Sequence, residues 1–369
     1  MQDMELMLWI TLLSTPGIGL KTARRVMSAA QDWGDLVVYQ TADWCEHGLS
    51  LEIAKNLRES FLNKVGEYAV ERLRRESIQV VGANDEHYPR LLHEIDDPPP
   101  FLTYLGDGVT QYDTIVAVVG TRQCTAYGRR AAREIAQDLQ RDGVIIASGL
   151  AMGIDQEAHK ATLQNGGKTI AVLGSGLYQV YPAQHRPLAD QIAATGGTVY
   201  SEFLPWQGPQ RHHFIQRNRL ISGMSKAVIV VEAGTKSGAL ITADYALSQN
   251  RDVAVVPGSI YNSHAQGCHE LLVQGAMALI STKYVLQQLQ ITVQNCTLHH
   301  DTLLTSSPIG ETKEMQDILA QLQVGYKSMG DLSRSPELVH LSLSEMTKVL
   351  TEMEVHGLIV RVGPGLYGL

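Results

Sequence analysis

The chain has 369 residues, 44% of them hydrophobic and 18% charged, with a formal net charge of -8 at pH 7. That length holds two or three domains of roughly 150 residues each and at least one sizeable core. The net acidity excludes attraction of nucleic acid by a global field, so any such affinity must come from a local basic patch.

Four scattered cysteines, Cys45, Cys124, Cys268 and Cys296, form no C-x-x-C pair and no metal-ligand spacing. Free thiols in a reducing compartment are expected, with no metal and no cofactor, and the cytoplasm is the default location. The N-terminal MQDMELMLWITLL lacks a basic start, and its apolar run is too short for a bilayer. Neither a signal peptide nor a membrane anchor is indicated.

Residues 1–70 carry helical periodicity and no convincing strand. Within them, LLSTPGIGLKTARRVM sets a helix end, a Pro16-Gly17-Ile18-Gly19 hairpin, and a second helix bearing Lys21, Arg24 and Arg25. Such a hairpin exposes backbone amides that can grip a DNA phosphate, which would make Gly17, Gly19 and Lys21 accessory contacts. Hairpins of this type also serve as plain packing modules, and both readings stand. Residues 71–112 hold short apolar runs broken by Pro and Gly and read as a connecting segment.

From 113 to 289 the pattern changes to apolar strands alternating with helical stretches: TIVAVVG, GVIIASG, KTIAVLGSG, GTVYSE, KAVIVVEAG, DVAVVPG and MALIS. This alternation predicts an α/β fold with helices on both faces of a parallel sheet. Nearly every strand ends in a small residue, among them Gly120, Ser148, Gly149, Gly174, Ser201, Gly234 and Gly258. Ligands of such sheets bind at the carboxyl ends of the strands, where small residues allow close approach.

In VAVVGTRQCTAYGRR, Arg122 stands where the second glycine of a dinucleotide-binding G-x-G-x-x-G would fall. A guanidinium beside a helix N-terminus suits a single phosphate better than a pyrophosphate. The alternative is a structural Arg122 paired with a carboxylate such as Glu232. SGLAMGIDQEAHKAT sets Asp155 and His159 one turn apart, downstream of Ser148. There is no G-x-S-x-G elbow, so Asp155 reads as a cap or first-turn acid and His159 as a packed helix residue rather than as a triad.

The densest basic run, FLPWQGPQRHHFIQRNRLISGMSKAVIVV, has no acid between Glu202 and Glu232. It carries Arg211, Arg217, Arg219 and Lys226, the titratable His212 and His213, and interleaved Trp206 and Phe214. Cations for phosphates beside aromatic faces for bases build non-specific single-strand binding. The bland alternative is a solvated loop with a core phenylalanine. VVEAGTKSGALITADYA fails as a P-loop because Val230 and Thr235 stand at two glycine positions. What remains is a Ser237-Gly238 turn opening a helix, able to meet a phosphate with amides and a hydroxyl.

Residues 290–310 are polar and aperiodic and read as a linker. Within 311–369, three helical segments near 312–323, 327–334 and 342–356 precede two short strands about a Gly-Pro-Gly turn, the order of a winged helix. Its third helix sets Glu345, Glu352 and Glu354 against Lys348, a net -2 that phosphate would repel. A protein partner, or none, is expected there.

Taken together, YPRLLHEIDDPPPFLTYLG, VAVVGTRQCTAYG, ASGLAMGIDQEAH, VLGSGLYQVYPAQH, RNRLISGMSKAVIVVEAGTKSGALITA and VAVVPGS resemble the DNA-processing protein A (DprA/Smf) family over nearly the full length. The resemblance implies an extended Rossmann-like core with a parallel or mixed sheet. It also implies an N-terminal helical hairpin (helix-hairpin-helix or SAM-like) domain and a C-terminal winged helix. It further implies binding of single-stranded DNA, a homodimer through the core, and loading of the RecA recombinase in natural transformation, without catalysis. Matching motifs carry over Gly120, Thr121 and Arg122, then Ser148 and Gly149. Arg211, Phe214, Arg217, Asn218 and Arg219 follow, and last Lys236, Ser237 and Gly238. Ile215 departs from the family, which usually has proline after the aromatic of the basic loop, and the paired His212 and His213 are unusual. Two competing functions remain: a phosphoribohydrolase-like enzyme on nucleotides, whose P-G-G-x-G-T-x-x-E signature this chain lacks, and a protein-binding adaptor.

Overall fold

All seven apolar runs expected between 113 and 289 form strands of one sheet in the computed structural model, which describes residues 3–30, 32–110, 113–288, 313–323, 327–355, 359–363 and 366–368. The chain divides into two compact units, 1–296 and 297–369.

Six helices open the first unit: α1 (Asp3–Ser14), α2 (Leu20–Ala29), α3 (Trp33–Val38), α4 (Thr41–Glu46), α5 (Leu51–Leu62) and α6 (Val65–Arg75). Helix α1 is apolar on almost every face and is buried accordingly, with Leu8, Ile10 and Leu12 inaccessible to solvent. Helix α6 runs to Arg75, past the expected boundary at 70, because its buried stripe continues through Leu73. These helices share one apolar cluster with Leu173, Leu177 and Leu204 of the sheet region. Arg72 reinforces that join, its guanidinium lying 5.3 Å from the ring centroids of both Tyr178 and Trp206.

The sheet is built by β1 (Gln79–Gly82), β2 (Phe101–Gly106), β3 (Ile115–Val119), α7 (Ala126–Arg141), β4 (Ile145–Ser148), α8 (Ile154–Gln164), β5 (Thr169–Val172), α9 (Arg186–Ala194) and β6 (Thr198–Ser201). It continues with α10 (Arg211–Gly223), β7 (Ala227–Val230), α11 (Gly238–Ser248), β8 (Asp252–Val255), α12 (Gln266–Val273), β9 (Met277–Ala278) and α13 (Thr282–Gln288). The nine strands lie in the order β1-β2-β6-β5-β4-β3-β7-β8-β9. Neighbours from β6 to β9 are parallel, whereas β1 with β2 and β2 with β6 are antiparallel, so the sheet is mixed. The reading of 71–112 as a bare connection is corrected, since β1 and β2 are sheet strands. Both are short, and β2 follows Pro98-Pro99-Pro100, a run that reads as loop.

Every residue of β3 is buried, as expected where helices cover both faces. Ile115, Ala117 and Val119 face a layer containing Leu220 and Ile221 of α10 and Ala239 and Ala243 of α11. Val116 and Val118 face Ala132, Ile135 and Leu139 of α7 and Ala158 and Ala161 of α8. The period-two alternation of the strand thus sorts the two helix layers.

The second unit comprises α14 (Lys313–Gln323), β10 (Lys327–Ser328), α15 (Met329–Leu332), α16 (Leu343–Val355), β11 (Val360–Gly363) and β12 (Leu366–Gly368). Its three antiparallel strands are ordered β10-β12-β11, and β10 is an addition to what periodicity predicts. Ile318, Leu338, Met346, Leu350 and Met353 centre its own core. Glu345 is not a free surface acid: it accepts hydrogen bonds from the Ser342 backbone amide and hydroxyl and so caps α16. The linker at 290–310, Cys296 and residues 364–365 of the expected Gly-Pro-Gly turn lie outside the described residues. Cys45, Cys124 and Cys268 are free thiols, and burial pushes that of Cys268 up to about 11.

The packing of α1 on α6 depends on Gly66, where an added Cβ would fall 2.3 Å from the Met7 carbonyl oxygen and 2.4 Å from Thr11 Oγ1. Gly66→Val is expected to lower stability by about 1–3 kcal/mol through overpacking, read as an earlier denaturation midpoint.

Candidate nucleic-acid interface

Strand β3 lies between β4 and β7, and the loops leaving β3 and β7 at their carboxyl ends border the crevice where strand order changes direction. A cleft of about 680 Å³ opens there, lined by Gly120, Thr121 and Arg122 after β3 and by Lys236, Ser237 and Gly238 at the start of α11. The third side is one face of α10, which brings Arg211, Phe214, Ile215 and Asn218 at helical spacing.

Arg122 is exposed and makes no ion pair among the described residues. Its guanidinium lies 5.7 Å from the Phe214 ring centroid, so the cation sits on an aromatic face in the cleft. The alternative pairing with Glu232 does not occur. That carboxylate instead accepts from the Thr125 amide at 2.8 Å, the Thr125 hydroxyl at 2.9 Å and Asn262 Nδ2 at 3.1 Å. Thr125 caps α7, its hydroxyl accepting from the Gly128 amide, so Glu232 stiffens the loop that presents Arg122.

Arg211 and Lys236 are the other exposed cations of the cleft. Ser237 caps α11 by accepting from the Ala239 amide, and Asn218 Nδ2 donates to the Gly238 carbonyl at 3.2 Å, tying α10 to that turn. Phe214 is half-buried, with the exposed Tyr181 ring 5.4 Å away at 53°. Tyr181 lines the cleft and was not singled out from the sequence; an aromatic in the glycine-rich loop after β5 was the available signal.

Several expected ligands are not brought to solvent. Arg217 is 4% exposed and donates to the carbonyls of Gly149, at 2.7 Å, and Val172, fastening the ends of β4 and β5 beneath the cleft. Gly149 permits this, since an added Cβ would fall 2.6 Å from Arg217 Nη2. Burial draws the guanidinium down to about 10, with Asp155 opposing, so it stays charged at neutral pH. Arg219 does not line the cleft: its guanidinium pairs with Glu202, both side chains being buried. Lys226 immediately precedes β7 at its amino end, away from the crevice, and Trp206 packs under Arg72 rather than beside Phe214.

Ser148 is fully buried and donates to the Val118 carbonyl at 2.7 Å, so it is a strand lock rather than a ligand or nucleophile. Asp155 accepts from the Gly149 and Ala151 amides at 3.1 and 3.3 Å. Burial pushes its carboxyl upward, against the pull of Arg217 and those amides. His159 is buried against Thr169 Oγ1 at 2.8 Å, so no Ser-His-Asp relay exists. In the hairpin, Gly17 has φ +86° and Gly19 precedes α2, both exposed with Lys21. Arg24 is committed to Asp97 and the Pro98 carbonyl, and Arg25 donates to the Gly48 carbonyl. None of these hairpin residues lines the cleft. Among the described residues no cluster of His, Cys, Asp and Glu could hold a metal, and no helix is long and apolar enough to cross a membrane.

The fold and site define an α/β protein with a cationic, aromatic-lined crevice at the carboxyl ends of its parallel strands. Residues 79–290 match the family model of DNA recombination-mediator protein A, and the chain belongs to that family. It is 38% identical over 292 residues to Protein Smf of Escherichia coli, covering 79% of this chain and 76% of that protein. Protein Smf of Synechocystis sp. is 47% identical over 215 residues, a match spanning 57% of this chain and 54% of its relative. The X-ray structure of DNA processing protein A from Streptococcus pneumoniae superposes with a TM-score of 0.65 at 33% identity, covering 78% of this chain and 98% of that one. DNA processing protein A of Helicobacter pylori, solved for its single-stranded DNA binding mode, gives 0.51 at 28% identity over 57% of this chain and 96% of its own.

Burial brings His159 down to about 3 from an ordinary value near 6.5. Between those values the unfolded chain takes up a proton that the native imidazole refuses, so stability falls as pH drops through this window. The slope contributed is at most about 1.4 kcal/mol per pH unit. His159→Gln is expected to flatten the acid limb of a stability–pH profile measured by denaturant titration.

Proposed function

We propose that the cleft holds single-stranded DNA and that the protein is a recombination mediator without turnover of its own. The strand lies across the carboxyl ends of β3 and β7, with phosphates at Arg122, Arg211 and Lys236 and at the amides opening α11. Bases stack on Phe214 and Tyr181, each stacked base being worth about 1–3 kcal/mol. The observation that carries this reading is Arg122: exposed, free of any carboxylate among the described residues, and set over an aromatic face in the crevice. The single-strand binding of the Helicobacter pylori relative supports it. Of the ligands expected from the amino-acid sequence we keep Gly120, Thr121, Gly149, Asn218, Ser237 and Gly238 as the frame of the site, Arg217 as a buried source of positive potential, and set aside Ser148 and Arg219.

Nucleotide hydrolysis is disfavoured, because among the described residues Asp155 is the one carboxylate lining the cleft and it is bound to two amides. We assign the core to an extended Rossmann-like fold, the first six helices to a helix-hairpin-helix (SAM-like) domain, and the second unit to a winged helix with a protein partner. RecA is the recombinase that a mediator of this family would load, in the cytoplasm and during natural transformation. A homodimer through the core accords with the exposure of Val273 (88%) and Ile280 (72%) on either side of β9 and of Tyr261 (92%) between β8 and α12.

Three exposed cations predict a log-log salt slope of about -2 for a thymidine oligonucleotide, from roughly 0.7 per phosphate. Arg122→Ala should flatten it by about 0.7, and Phe214→Ala should weaken binding by about 1–3 kcal/mol with the slope unchanged. Fluorescence anisotropy at several salt concentrations reads both, and equal affinity for duplex and single strand would refute the stacking argument. For the dimer, Val273→Asp with Ile280→Asp is expected to convert the mass measured by light scattering to that of one chain.

A further inference from the structure

Helices α7 and α8 pack on one face of the sheet, and each begins at the carboxyl end of a parallel strand, beside the crevice. The seam between them opens where the cleft ends. Met152, 46% exposed, shares a niche there with Arg122, Tyr181 and Phe214. The Ile154 amide donates to the Thr121 carbonyl at 3.2 Å, and an added Cβ on Gly153 would fall 2.3 Å from that oxygen. The start of α8 therefore lies directly against the loop that presents Arg122.

Charges follow one another down this seam. Arg129 is exposed, pairs with no carboxylate among the described residues, and donates from Nη1 at 2.8 Å to the carbonyl of Cys124, two residues past Arg122. One turn on, about 6 Å farther from the crevice, Arg133 of α7 reaches across to Glu157 of α8 at 2.6 Å. Lys160 stands on the same side of α8 as Glu157, three residues beyond it, exposed and likewise without a carboxylate among the described residues. These three cations against one carboxylate leave a local charge of +2 on a chain whose total is -8.

The stability of α7 does not account for these arginines. A helix N-terminus favours acids, yet α7 has none in its first turn, and Arg129, Arg130 and Arg133 all precede Glu134. An anion lying along the seam would gain from that arrangement. We propose that the seam between α7 and α8 is a second track for single-stranded DNA, in which the strand leaving the cleft past Arg122 and Met152 sets phosphates against Arg129 and Lys160. The track is continuous with the cleft, and the proposal rests on the cleft as the DNA site.

Thymidine oligonucleotides of about 6 and about 12 nucleotides, both within the roughly 4–16 that single-strand sites cover, are titrated with the full-length protein at several salt concentrations. The shorter is held by the cleft alone. The longer reaches the seam, and its log-log salt slope should be steeper by about 1.4, roughly 0.7 for each of two added phosphates. Arg129→Ala with Lys160→Ala should remove that increment. Because Arg129 also holds the Cys124 carbonyl beside Arg122, Lys160→Ala alone is the second variant: it should remove about 0.7 from the longer oligonucleotide's slope and leave binding of the shorter unchanged. Arg129→Lys with Lys160→Arg keeps both charges and should keep the increment. Arg122→Ala separates the two readings. If it changes binding of neither oligonucleotide, the cleft fails as the DNA site and the track fails with it. If it weakens both, the track alone is overturned by equal slopes for the two lengths in the parent protein, or by an increment that survives the double alanine variant. Binding of polyglutamate that the double variant abolishes, with no increment for DNA, would assign the seam to an acidic polypeptide and overturn the proposal as well.

Discussion

The cleft rests on one buried guanidinium. Arg217 reaches from α10 beneath the crevice to the carbonyls at the ends of β4 and β5, and its Nε donates to Asn218, which in turn holds the turn opening α11. A desolvated cation is unfavourable unless its donors are matched, and here strand-end carbonyls and the field of Asp155 match them. The consequence is positional: three elements far apart in sequence are held at fixed spacing around one charge. The same charge remains near the cleft floor and biases it toward anions without presenting a solvent-exposed side chain.

The parallel part of the fold was legible because buried parallel strands are continuous apolar runs, and all seven were identified from that feature. Strands β1 and β2 were not, since β1 pairs only with β2, and β2 joins the sheet through β6, almost a hundred residues on, as in Thr103 opposite Ser201. Local pattern carries no record of such a partner. The site divides in the same way. Arg122 was legible because it breaks a glycine motif, whereas the fates of Arg217 and Arg219 depended on which carbonyls and carboxylates the sheet would bring within reach. A basic run in sequence reports cations and says nothing of which ones face inward.

Helical geometry settles how that run is used. Arg211, Phe214, Ile215 and Asn218 recur at the spacing of one helix face, and His212, His213, Gln216 and Arg219 at that of another. The first set meets solvent and the crevice; the second meets the hairpin region and the Glu202 carboxylate. One helix therefore serves both as the cationic wall of a groove and as the polar lining of a smaller cavity.

The distribution of acids resolves the apparent conflict between a net charge of -8 and a site for a polyanion. Three buried carboxylates of the core are occupied by hydrogen bonds or an ion pair. Glu232 holds the cap of α7, Asp155 holds two loop amides, and Glu202 holds Arg219, each side chain being almost fully buried. Each acid thus stiffens a loop or helix that carries a binding group, while the exposed charges left in the crevice are Arg122, Arg211 and Lys236. Screening by salt over about 8–10 Å isolates such a patch from the distant acidic surface, so the local sign, rather than the total, governs what the crevice attracts.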